Sequence, residues 1–244
     1  MQVTTLRVDD TPTSYVAGVL RMDPALVRGT LHPGVGEPAG RWRASTSPAG
    51  AAGDGVAVAF NGGFTLSDPS HNGYLAEGRT VAPLVPGRAG LVLRTDGTAD
   101  VGAWGSEVTA GPDVASVRQN LLPLVDGGAV TPTCATGGTA EWGSTVGQDA
   151  FVHRSGFGVT ADGAEVYVAG PALSVCTLGR LLADAGVVRG MELDINPAWV
   201  SGAYFHDRPG RAPQGFALFP AEQVPPTHYL TPTTRDWFAW YLRP

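Results

Sequence analysis

Between Met191 and Pro197 apolar and polar side chains alternate, and this period of two commits the segment to an extended strand. Met191, Leu193 and Ile195 would enter a core, while Glu192, Asp194 and Asn196 would line the opposite face. Those two carboxylates either form part of a site or simply face solvent. Upstream, Leu178, Leu181, Leu182 and Ala185 fall at helical spacing, with Ser174 or Thr177 able to cap the first turn and Gly186 placed to end it in a left-handed conformation.

The rest of the chain reads as short strands joined by turns. Gly at 34 and Pro at 20 of 244 residues, with only 16% charged residues, suit many turns better than a helical bundle. Strands are expected at Val3–Val8, Val16–Leu20, Val56–Phe60 and Gly90–Arg94. The last of these turns at Asp96-Gly97 into Val101–Trp104, and Thr160-Ala161-Asp162-Gly163 marks the clearest hairpin. Residues 121–125 suggest a further buried segment, and Phe216–Phe219 another strand. His32–Gly55 reads as a surface connection with a helical turn, and Thr131–Gly147 as a long loop. The aromatic run Trp237–Tyr241 is expected to pack an edge of the core. The fold class is α+β: a strand-rich single domain over 1–244, with a mixed or antiparallel sheet core and a few short helices.

A net charge of −6 and the lack of a Lys/Arg cluster argue against nucleic acid as a partner. No apolar run reaches the roughly 20 residues of a transmembrane segment, and the start Met1-Gln2-Val3-Thr4 carries no secretion signal. Cys134 and Cys176 form one disulfide if the chain is extracellular; two separate buried thiols are the other reading.

Arg154, beside His153, offers a planar guanidinium suited to clamping a phosphate, or else a local ion pair. Asp194 could serve as acid, base or nucleophile in glycosidic cleavage, with Glu192 as its same-face partner. His32, His71, His153, His206 and His228 are too scattered for a zinc set. The nucleophile elbow and the dinucleotide fingerprint are absent. Oxygen-rich residues could hold calcium, although the spacing of a calcium loop is missing; no other cofactor is implied.

Asn61-Gly62-Gly63-Phe64, His153-Arg154-Ser155 with Gly158–Gly163, the helix from Thr177 and the strand through Leu193-Asp194 together resemble the phosphodiester glycosidase domain family, most clearly over residues 50–205. The resemblance implies a secreted domain that hydrolyses a sugar-1-phosphodiester, releasing the sugar and a phosphomonoester. It assigns phosphate binding to Arg154 and substrate orientation to Asn61, Gly62 and Gly63, with the backbone of the two glycines close to the ligand. Asp194 would carry the acid/base or nucleophilic step and Glu192 would assist. His153, Asn196 and Trp199 would complete the substrate contacts. Ile195-Asn196-Pro197-Ala198-Trp199 departs from the family's glycine-rich turn after the aspartate, so the pocket must differ from that of usual members. The expected substrate is a glycan or sugar phosphate, as in a bacterial cell-envelope polysaccharide, and the expected location is secreted or envelope-associated. A non-catalytic carbohydrate-binding or structural surface domain on the same scaffold is the alternative.

Overall fold

A computed structural model describes residues 1–11, 13–44, 55–67, 72–208 and 211–244, and its strands form three antiparallel sheets. The largest runs, in spatial order, Gln2–Arg7, Val16–Met22, Glu165–Leu173, Val152–Thr160, Val187–Glu192, Pro123–Asp126, Ala129–Val130. The second runs Gln214–Ala217, Gly202–His206, Val56–Asn61, Trp237–Leu242, Val27–His32. The third runs Arg79–Ala82, Asn72–Ala76, Val114–Asn120, Ala89–Arg94, Ala99–Ala103. Among the described residues, no helix is long and apolar enough to cross a membrane.

The sheets meet on one hydrophobic core. Phe157, Tyr167 and Met191 enter it from the first sheet, Phe60, Phe238 and Trp240 from the second, and Tyr74, Leu91 and Leu93 from the third. Phe60 stacks on Tyr167 at 4.2 Å and on Trp240 at 4.9 Å between ring centroids. Small residues let these layers approach. Gly156 lies under the helix Val175–Asp184, where an added Cβ would come within 2.8 Å of the Met191 carbonyl and 3.1 Å of Leu182. That helix buries Leu178, Leu181 and Leu182 against Leu124, Val166, Val168 and Leu173 on the outer face of the first sheet. Ser174 Oγ accepts from Thr177 N–H at 3.1 Å, so Ser174 supplies the cap, and Gly186 leaves the helix at φ +89°.

Strand alternation is legible in the structure, with five corrections to the sequence-based expectations. The strand holding Met191 ends at Glu192, although Ser155 pairs on with Leu193 and Asp194 through its carbonyl and N–H, at 2.8 and 2.9 Å. Both faces of this segment are covered, so Glu192 and Asp194 are buried instead of facing solvent. Residues 131–147 are not one irregular loop: they contain single-turn helices at Thr133–Thr136 and Thr139–Trp142. The aromatic run Trp237–Leu242 is no edge but the penultimate strand of the second sheet, paired on both sides, with Trp237 through Trp240 buried. Residues 33–44 contain no helical turn; residues 45–54, where that expectation continues, lie outside the described residues, as does His71.

Glu165 fastens the three sheets at one corner. From the first sheet its carboxylate accepts from Ala99 N–H of the third at 2.6 Å and from the Trp240 indole N–H of the second. Burial pushes its carboxyl up to about 7 against these two donors, and burial likewise pushes Glu222 up to about 8. A carboxyl whose folded pKa exceeds its unfolded value near 4.5 binds its proton more tightly in the folded state. Its contribution is full below about pH 4.5 and is lost as pH rises through about 7, a change on the order of 3 kcal/mol for Glu165. Thermal melts are therefore expected to show a lower Tm at pH 8 than at pH 5, and Glu165→Gln should flatten that slope.

Candidate active site

The site is assembled at the ends of three strands. Val56–Asn61 ends in Asn61, whose carboxamide is fully engaged with protein. Its Nδ2 donates to Ser155 Oγ at 3.0 Å and to Gly62 O at 2.7 Å, while its Oδ1 accepts from Ser201 N–H at 3.2 Å and lies 2.7 Å from the Tyr167 hydroxyl. Ser155 Oγ in turn accepts from Asp194 N–H at 3.2 Å. Asn61 thus supports Asp194 from behind through Ser155.

The two glycines after Asn61 are explained by close approach, not by left-handed dihedrals, since neither has a positive φ. A Cβ on Gly62 would meet Asp236 Oδ2 at 2.4 Å, and Gly62 N–H donates to the Asp236 carbonyl at 3.2 Å. A Cβ on Gly63 would sit 3.2 Å from the guanidinium carbon of Arg118. Asp236 is buried because it neutralises Arg118, whose Nε donates to Asp236 Oδ2 at 2.7 Å; both side chains are fully excluded from solvent. Arg118 also donates to the carbonyls of Phe64 and Gln119. Asn120, two residues on, accepts from Phe64 N–H and donates to the carbonyls of Glu192 and Leu193 at 3.0 and 2.9 Å.

Arg154 and Glu192 meet each other, not the cleft. Arg154 Nη1 donates to Glu192 Oε1 at 2.7 Å and its Nε to Leu173 O at 2.9 Å, with both side chains buried. Burial raises the Glu192 carboxyl to about 7, with Arg154 opposing the rise. Neither residue lines the cleft that holds Asp194. The arginine beside Asp194 is instead Arg235, which sequence reasoning missed. Its Nη2 lies 3.1 Å from Asp194 Oδ2 and donates to Gly63 O, and its guanidinium carbon stands 4.7 Å from the centre of the Trp199 ring. The Arg235 Nε is buried and has no hydrogen-bond partner among the described residues.

Asp194 takes two further bonds at Oδ1, from Ile195 N–H at 2.7 Å and Asn196 N–H at 2.9 Å. This aspartate turn replaces the continued strand and sends Asn196, Pro197 and Trp199 around the cleft. Asn196 Oδ1 accepts from Ala198 N–H at 2.9 Å, fixing the turn. Burial raises the Asp194 carboxyl above its ordinary value, while Arg235 and the two N–H donors pull the other way.

The cleft has a volume of about 510 Å³ and is lined on one side by Asp194, Asn196, Trp199 and Arg235 and on the other by Phe64, Thr139, Ala140, Gly143 and Ser144. The far wall includes the single-turn helix Thr139–Trp142; the preceding one, Thr133–Thr136, backs it and is held by a Cys134–Cys176 disulfide to the helix Val175–Asp184 with a Cα separation of 5.0 Å. In the loop-entropy model, closing this 42-residue separation stabilises by about 4 kcal/mol. His153 lies outside this cleft, with Nε2 3.2 Å from Ala221 O. Among the described residues, no group of three or more His, Cys, Asp or Glu gathers to hold a metal. The cleft therefore offers, among the described residues, one buried carboxylate, one guanidinium and two aromatic side chains.

No protein-family model and no curated protein sequence matches this chain. Solved structures do. The catalytic domain of zebrafish N-acetylglucosamine-1-phosphodiester alpha-N-acetylglucosaminidase, auto-inhibited by its pro-peptide, aligns over 100% of this chain and 83% of its own with a TM-score of 0.60 at 13% identity. The likeness is one of fold. A hypothetical protein from Synechocystis aligns over 99% of this chain and 62% of its own (TM-score 0.50, 12% identity). A putative exported protein from Burkholderia pseudomallei K96243 aligns over 95% and 74% (TM-score 0.50, 11% identity).

Four substitutions separate scaffold from site. Gly62→Ala is expected to destabilise by roughly 1–3 kcal/mol, since Asp236 cannot move without exposing Arg118, and Gly63→Ala by less; denaturant unfolding reads the difference. Arg154→Ala should cost roughly 3–5 kcal/mol by leaving Glu192 buried and unpaired. Calorimetry should find that it nevertheless preserves affinity for inorganic phosphate, where Arg235→Ala loses it.

Proposed function

We propose that the protein is a hydrolase of sugar-1-phosphodiesters, with Asp194 and Arg235 as its central pair. The observation that carries this reading is their juxtaposition at 3.1 Å on the wall of a cleft that also presents Trp199 and Phe64. Aromatic faces suit the apolar face of a sugar ring, and a guanidinium suits a phosphate. The fold likeness to a phosphodiester glycosidase catalytic domain supports the same reaction class.

The chemistry is consistent with one carboxylate. Cleavage of an ordinary glycoside uses a second carboxyl to protonate the leaving oxygen. A phosphomonoester, with a second pKa near 6, departs as an anion without that help. Asp194 then serves as base or nucleophile at the anomeric carbon, and Arg235 carries the phosphate-binding role that the family resemblance assigns to Arg154. Glu192, engaged by Arg154, supports the site from beneath. Asn196 and Trp199 contact substrate; Asn61, Gly62 and Gly63 act through the backbone they hold. We place the protein outside the cytosol, in the cell envelope or secreted, where its disulfide would persist.

Asp194→Asn keeps the aspartate's shape and its backbone donors close to an amide oxygen. It should lower turnover of a panel of sugar-1-phosphodiesters by at least 100-fold with little change in Tm. Wild-type kcat should fall as pH drops through the Asp194 pKa. A glycan-binding module without turnover is the second reading, supported by Asp194 being the sole carboxylate among the described residues that line the cleft. It predicts glycan binding by wild type and no phosphomonoester release from any diester.

A further inference from the structure

We infer that the Asp194 cleft continues into a second lobe that receives the alcohol of the leaving phosphomonoester, and that this alcohol carries an alkyl chain. The inference rests on the hydrolase reading and extends it to the half of the substrate that the aromatic cleft does not address. A second depression of about 390 Å³ shares Ser144, Ile195 and Asn196 with the first, so the two are one groove crossing a saddle at the Asp194 turn.

The two lobes differ in chemistry. The first holds Arg235, Asp194 and Trp199. The second is faced by Val146, Val152, Ile195 and Pro197, and Val146 is 95% exposed at its rim. An exposed valine beside three further apolar side chains is a surface that an alkyl chain would cover favourably. The polar groups of this lobe turn an anion away. Asp149 contributes a carboxylate, no arginine or lysine is among the described lining residues, and the Nε2 of the lining His153 is occupied by Ala221 O at 3.2 Å. The phosphate is therefore expected beside Arg235, the sugar against Trp199 and Phe64, and the alcohol beyond Asn196.

In the reaction so arranged, water oxygen bonds to the anomeric carbon as the bond from that carbon to the phosphate oxygen breaks. The electron pair leaves with the phosphomonoester, and the water proton passes through Asp194 to solvent. The alkyl chain takes no part in the step and acts through binding alone, which is why it should appear in KM.

The test uses hexyl and methyl diesters of one sugar 1-phosphate. KM is expected to be roughly tenfold lower for the hexyl diester, at similar kcat. Val146→Asp, on a side chain too exposed to threaten folding, should abolish that advantage and leave the methyl diester unaffected; Val152→Asp, with its melt recorded, should do the same. Equal KM values for the two diesters, or an advantage that survives Val146→Asp, would overturn the inference while leaving the hydrolase reading intact. If no diester is cleaved, the hydrolase reading falls and calorimetry with methyl and hexyl phosphate decides the lobe. Tighter hexyl phosphate binding lost in Val146→Asp supports it, and equal or undetectable binding sinks it.

Discussion

Arg118 is a guanidinium with no solvent, and this is affordable only because Asp236 lies against it. The pair joins the third sheet to the start of the strand Trp237–Leu242 in the second. Its requirements spread outward. Asp236 must be within reach, so Gly62 can carry no side chain; the second donor edge of Arg118 must be satisfied, so the chain after Gly63 bends to present the Phe64 carbonyl. Asp236 also fixes the position of its neighbour Arg235, which is thereby brought onto Asp194. A charge buried for the sake of the sheet junction thus determines which cation the cleft contains.

Beneath the cleft the polar groups form a connected set. Tyr167, Asn61, Ser155 and the Asp194 backbone follow one another by hydrogen bonds, and Asn120 closes the same region by holding the Glu192 and Leu193 carbonyls. In a dry interior each unmade bond would cost roughly 1–3 kcal/mol, so the set holds as a unit. The aspartate is consequently rigid before any ligand arrives, which is what a carboxylate needs if it is to meet one reacting carbon. Arg154 and Glu192 adjoin this set as a buried ion pair through Oε1, while Glu192 Oε2 has no hydrogen-bond partner among the described residues.

Local chemistry made much of the fold legible from sequence. The hairpin at Thr160–Gly163, the turn at Asp96-Gly97 and the helix ending at Gly186 each depend on residues a few positions apart, and each forms. The alternation through Met191, Leu193 and Ile195 correctly marks the apolar side. It leaves the other side open between a site and solvent, and the solvent alternative falls because the protein covers both faces of this sheet and leaves no solvent for Glu192. The candidate site was half legible. Asp194, Asn196 and Trp199 lie on one stretch and share the cleft, whereas Arg235 reaches Asp194 across 41 positions of chain (235 − 194) through contacts no local pattern encodes. The polar run Thr233-Thr234-Arg235-Asp236, set against an aromatic strand, and the buried Arg118-Gln119-Asn120 are the signals that could have pointed to it.

The two sides of the cleft stand on different physical supports. Asp194 is tied by backbone and side-chain bonds to all three sheets, directly or through Asn61, Ser155 and Asn120. The opposite wall, from Thr133 to Ser144, has two helices of one turn each, too short to persist alone. It depends on the Trp142 side chain, which is buried and donates to Thr133 O at 2.8 Å, and on the Cys134–Cys176 bond to the long helix. Substitutions in that wall leave the hydrogen bonds around the carboxylate untouched, provided Trp142 and the disulfide remain. A scaffold arranged this way can change the lining of one wall without disturbing the carboxylate on the other, because the two walls do not share their buried contacts.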